Sequence, residues 1–150
     1  ATQSPTRGII AGGNPSTSQR LQFITISTLG DAQTFGELAN LGDAMMGGGA
    51  SSSTRATWFG GYSTNIEYST IATTGNATDF GSLTVSRGSP YASSDSIRAV
   101  CAGGNTSPSI VNSIDYFMIA TGGNAADFGD LTAADYNGYD CISTGHGGLG

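Results

Sequence analysis

The stretch Ile71-Ala72-Thr73-Thr74-Gly75-Asn76-Ala77-Thr78-Asp79-Phe80-Gly81-Ser82-Leu83 decides how this chain is read, because it occurs three times. Ile26 to Leu38 reads ISTLGDAQTFGEL, and Ile119 to Leu131 reads IATGGNAADFGDL. Ile, Gly, Ala, Phe, Gly and Leu keep the same offsets in every copy, so the chain is a repeat protein.

Working outward, an Arg precedes a glycine pair by five residues in each copy: Arg7 to Gly12-Gly13, Arg55 to Gly60-Gly61, Arg98 to Gly103-Gly104. Each pair closes a short apolar run, and polar connectors of differing length follow, as surface loops do. A second run ends at the shared Ile, with an aromatic three residues earlier: Phe23, Tyr68 or Tyr116. The Phe-Gly-x-Leu segment is the third run. The fourth is looser: Ala44-Met45-Met46, Pro90-Tyr91-Ala92, and Tyr139 to Ile142. No stretch has a helical period, and the Gly and β-branched content opposes one.

Four short strands in 43 to 48 residues predict an all-β chain of β-propeller blades, with a parallel β-helix as the rival. The expected organisation is one domain: an extension at 1–6, then repeats at 7–53, 54–96 and 97–150. In this reading Gly12, Gly13, Gly60, Gly61, Gly103 and Gly104 form the turns, and Phe35, Phe80 and Phe128 plug the space between blades. Three blades are too few for a ring, since propellers need about 4 to 8. The expected partner is therefore a second copy of the chain, closing six blades by strand exchange.

Composition excludes several classes. The chain has 24 Gly, no Lys, only 11% charged residues and a net charge of −6. A phosphate-tracking nucleic-acid surface is excluded by that balance, and no apolar run approaches the roughly 20 residues of a membrane span. Ala1 to Pro5 has neither the charged nor the apolar region of a signal peptide. Cys101 and Cys141 suit two half-buried thiols, with a disulfide between neighbouring strands left open.

The glycine pair, the aromatic-bearing strand and the large aromatic followed three residues later by Leu resemble kelch-type repeats. Phe stands where those repeats usually carry Trp, and Arg87 alone sits where they carry Arg. The wording Ile-Ala-Thr-Thr-Gly-Asn-Ala-Thr-Asp-Phe-Gly-x-Leu-Thr is similar to repeats in virion proteins of tailed phages, especially those of marine bacteria. The resemblance implies a tail-fibre, tail-tip or other exterior virion component beside other virion proteins. It carries no ligand and no catalytic residue.

Asp79-Phe80-Gly81 and Asp127-Phe128-Gly129 spell a kinase metal-binding tripeptide, but a kinase needs a catalytic Lys and this chain has none. His146, the only histidine, sits among glycines that give a catalytic imidazole little support. No catalytic residue, cofactor or metal is assigned. A glycosidase would need only two carboxylates, for which Asp79 and Asp127 are the candidates. Turn acids could also hold calcium, though no EF-hand spacing is present. Tyr62, Tyr91, Tyr136 and Tyr139, near strand ends or loops, are the candidate ligand-binding residues, their rings suited to stacking on sugars. Trp58 aligns with Ile10 and Cys101 and reads as core. The expected function is non-enzymatic attachment or recognition of a host-surface glycan, on a virion or otherwise extracellular. A depolymerase and a secreted adhesive or filament protein are the alternatives.

Overall fold

The computed structural model describes residues 2–12, 18–40 and 47–136, and the backbone course of 141–143. All regular structure among them is strand. The first sheet holds β1 (Thr2–Gln3), β2 (Arg7–Ala11), β3 (Arg20–Thr25) and β4 (Gln33–Glu37), in that order. The second holds β5 (Gly47–Ser51), β6 (Arg55–Gly60), β7 (Ser63–Thr70) and β8 (Thr78–Arg87). The third holds β9 (Tyr91–Ser94), β10 (Arg98–Ala102), β11 (Ser113–Met118) and β12 (Ala126–Asp130), with β13 (Cys141–Ser143) beside β9. Every pairing is antiparallel except β13 with β9, which is parallel.

Side-chain alternation explains how the sheets associate. In β6, Trp58 points into a core shared with Ile9, Leu21 and Phe35 of the first sheet. Its neighbour Phe59 points the other way, into a core shared with Cys101 and Phe117 of the third. Successive strand residues face opposite sides, so a strand apolar on both faces lies between two layers. The second sheet is that middle layer.

The Phe-Gly pair forms the same device in each sheet. Leu21 pairs with Gly36 and Gln22 with Thr34, which leaves Phe35 as the extra residue of a β-bulge. Phe80 and Phe128 are skipped in the same way in β8 and β12. A bulge bends its strand and re-aims a side chain, here the ring that enters the next layer. Gly36 and Gly81 are glycine because of the next sheet. A Cβ on Gly36 would collide with the carbonyl of Gly75, and one on Gly81 with that of Gly123.

Successive layers are clipped together by polar groups repeated at both interfaces. Gly75 N–H donates to the Phe35 carbonyl and Ala77 N–H to that of Glu37, both at 2.8 Å; Gly123 and Ala125 do the same to Phe80 and Ser82. Arg7 stacks on Phe23 and donates to the Ile71 carbonyl. Arg55 stacks on Tyr68 and donates to that of Ile119. A buried acid completes each interface. Glu67 accepts from the N–H groups of Ala39 and Asn40, and Asp115 from Thr84 N–H at 2.9 Å.

The propeller expectation is corrected by this arrangement. The three sheets are separate, and none is curled or closed into a ring, unlike kelch-type blades. The six-bladed closure by a second chain fails for a specific reason. It required an open edge on β2 and an unspent last strand, but β1 covers β2 and β13 is used on β9. Phe128 is also corrected. Phe35 and Phe80 are 3% and 6% exposed, whereas Phe128 is 54% exposed and, among the described residues, meets the Tyr116 ring of its own sheet rather than a neighbouring layer. Cys101 and Cys141 both pair with Ala92, from opposite sides. Two strand spacings put them about 10 Å apart, beyond the roughly 7 Å reach of a disulfide, and Cys101 is a buried free thiol. Gly13, Tyr139, His146 and the run Ala44-Met45-Met46 lie outside the described residues.

Candidate functional site

The glycine pairs end β6 and β10 in left-handed conformations, with φ of 91° and 68° at Gly60 and Gly61 and of 61° and 101° at Gly103 and Gly104. The two turns meet at one end of the second and third sheets. After Gly61, Tyr62 keeps φ at 62°, and its N–H donates to the Arg87 carbonyl at 3.1 Å. Its ring lies flat over Gly88, where a Cβ would come within 2.7 Å of the ring carbons. Gly88 is itself bridged to Asn105 by paired N–H to carbonyl bonds of 2.8 and 2.9 Å.

Past Gly104 the chain makes a short protruding hairpin. Asn105 pairs with Ile110, Thr106 N–H donates to Ser109, and the Ser107–Pro108 peptide at the tip is cis. The segment after β12 then crosses this base, with Gly104 N–H donating to the Asp135 carbonyl at 2.8 Å. Asp135 accepts from the Tyr91 hydroxyl at 3.2 Å and from Tyr136 N–H at 2.7 Å. Those bonds set Tyr136 beside the hairpin.

The result is a cleft of about 230 Å³ lined by Tyr62, Asn105, Ser107, Pro108, Ile110 and Tyr136. Tyr62 is 44% and Tyr136 39% exposed. Asn105 Oδ1 is buried and has no hydrogen-bond partner among the described residues. Two aromatic faces, an amide and a Ser beside a proline ring form an amphipathic surface, chemically able to stack on a ring and to hydrogen-bond its substituents. The volume is below the roughly 300 to 1,000 Å³ of drug-sized pockets and suits one small ring unit.

A buried ion pair supports the cleft from below. Arg87 and Asp115 are both fully buried, 3.3 Å apart. Arg87 also donates to the carbonyls of Gly103 and Ser113 and to Ser113 Oγ, and Asp115 accepts from both N–H and Oγ1 of Thr84. Such a pair holds the base of the hairpin in one arrangement.

Of the four tyrosines singled out from the sequence, Tyr62 and Tyr136 line the cleft and Tyr91 sits at its edge through Asp135. Asn105, Pro108 and Ile110 are not among the ligand-binding residues expected from the sequence; they lie on the connector between β10 and β11, whose signal is that of a variable polar loop. Asp79 and Asp127 are not turn acids: they are exposed strand residues, in β8 and β12 of different sheets, paired across the strands with the acids that do structural work, Glu67 and Asp115. Among the described residues no group of three or more His, Cys, Asp or Glu could hold a metal, and no helix is long and apolar enough to cross a membrane. A wider groove of about 430 Å³ runs between the first two sheets beside Arg7 and Ile71. It offers no aromatic face, and Arg7 is already engaged there.

No protein-family model matches the chain, and no curated protein matches it. The likeness to kelch-type and phage virion repeats therefore finds no support as a statement of family.

Proposed function

We propose that the chain is a non-enzymatic structural and attachment module of an extracellular assembly, and that it binds surface glycan through the cleft at Tyr62 and Tyr136. One observation carries this reading. Two exposed tyrosines, far apart in sequence, converge on one cleft with Asn105, Ser107 and Pro108. Sugar rings offer an apolar C–H face to an aromatic ring and hydroxyls to an amide, so each class of group in the cleft has a counterpart. The acids favour binding over cleavage. Asp79 and Asp127 lie on separate sheets, and Asp115 is consumed by Arg87 and Thr84.

A glycan array followed by end-product analysis tests the proposal. The expected result is selective retention of one glycan class with no shortened products. Tyr136→Ala should weaken that retention about tenfold, the loss of one aromatic stacking contact. Tyr62→Gly, which keeps the left-handed backbone available, should do the same. Retention unchanged in both variants would remove the cleft from the account, and shortened glycans would favour a depolymerase.

A further inference from the structure

The outer face of the third sheet is built as an interface, and the molecule itself displays what fits such a face. At the two internal interfaces a turn reading Gly-Asn-Ala lies across the Phe-Gly bulge of the preceding sheet. Its Gly and Ala N–H groups bond the carbonyls of Phe35 and Glu37, or of Phe80 and Ser82. The turn Asn accepts in return, Asn76 Oδ1 from Glu37 N–H and Asn124 Oδ1 from Ser82 N–H, each at 3.1 Å. The third sheet repeats every element of this acceptor. Phe128 and Asp130 stand where Phe80 and Ser82 stand, and Gly129 has φ of 139° with nothing within 4 Å of where a Cβ would lie. Arg98 stacks on Tyr116 as Arg7 does on Phe23 and Arg55 on Tyr68, and is exposed.

We infer that this face docks a further repeat sheet whose turn reads Gly-Asn-Ala, supplied by a partner built from the same kind of repeat. Phe128 then enters the partner's core, and Arg98 reaches the carbonyl of the Ile four residues before the turn Gly. The contact extends the stack of sheets and closes nothing. The chain's own first turn, Leu29-Gly30-Asp31-Ala32, is open to solvent, with Leu29 fully exposed. It carries Asp31 in place of Asn, however, and a second copy would bring that carboxylate against Asp130. At the internal interfaces the facing pairs are Glu37 with Asn76 and Ser82 with Asn124, so two acids never meet. A neutral Asn turn is the ligand this face selects, and like-charge juxtaposition rejects the Asp turn.

The test uses the full chain with a turn-only probe. Asp31→Asn combined with Phe128→Ser gives a chain that presents an Asn turn but lacks its own docking ring. Phe128 is exposed, so its loss leaves the fold intact. Sedimentation of this probe with the wild-type chain should give a 1:1 complex, at least about tenfold tighter than with a probe that keeps Asp31. The complex should vanish when the acceptor chain also carries Phe128→Ser. Absence of any complex up to about 1 mM, equal binding by the Asp31 probe, or a complex that survives loss of Phe128 from both chains would each overturn the inference.

Discussion

Residues that look equivalent in the sequence hold unequal positions in the structure, and Cys101 and Asp115 show why. Cys101 aligns with Trp58 and Ile10, and its burial between sheets pushes the thiol pKa up to about 12. Desolvation of the thiolate is the larger cause, opposed by the positive charge of Arg87. The sign follows directly. Above the ordinary thiol range the unfolded chain releases this proton while the folded chain keeps it, so stability falls as pH rises toward 12. In a Cys141→Ser background, iodoacetamide at pH 8 should leave native Cys101 unmodified and label it fully in denaturant. Rapid native labelling would show that the thiol is not buried. Asp115 could not be told from Asp127 by composition, since each is an Asp in a strand rich in apolar and small residues. Only the packing of the second sheet against the third, which sets Asp115 against Arg87, separates them. Asp115→Asn should cost about 3 to 5 kcal/mol by leaving a buried cation unpaired. Asp79→Asn and Asp127→Asn should stay within about 0.5 kcal/mol. Denaturant midpoints of the three variants check this.

At the scale of elements, the repeat frame was legible because its physical demands are local. An aromatic strand, a Gly-Asn-Ala turn and a Phe-Gly bulge each leave a fixed spacing, and β2, β6 and β10 fall where the glycine pairs predicted strand ends. Three features were not legible. The bulge that turns Phe35 and Phe80 across to the next layer depends on strand register, which spacing alone does not state. β1 carries no frame residue yet covers the edge of β2, and β13, a strand the fourth run did predict, pairs in parallel with β9 instead of serving ring closure. The cleft depends on Tyr62 stacking over Gly88 and on Asp135 strapping Gly104, contacts between residues distant in sequence. Gly88→Ala tests the first of these. The added methyl must displace the Tyr62 ring, so glycan retention should fall about as far as in Tyr62→Gly, roughly tenfold, with the fold kept. Retention equal to wild type would show that ring position does not matter.

For the whole molecule, the repeat was read correctly as a unit that cannot bury its own apolar face and incorrectly as a blade of a ring. A sheet needs a layer on each apolar face, and repetition along a line meets that need as well as repetition around an axis. Only the middle sheet has both faces covered by chain described here, which leaves one Phe of three in the open. Among the described residues the repeated frame is an inter-sheet joint, made twice and left unmade once. Equilibrium unfolding of Phe35→Ala, Phe80→Ala and Phe128→Ala tests it most directly. Losses of about 3 to 5 kcal/mol are expected for the first two, and no more than about 0.5 to 1.5 kcal/mol for the third, the worth of its edge contact with Tyr116. Equal losses at all three positions would contradict it.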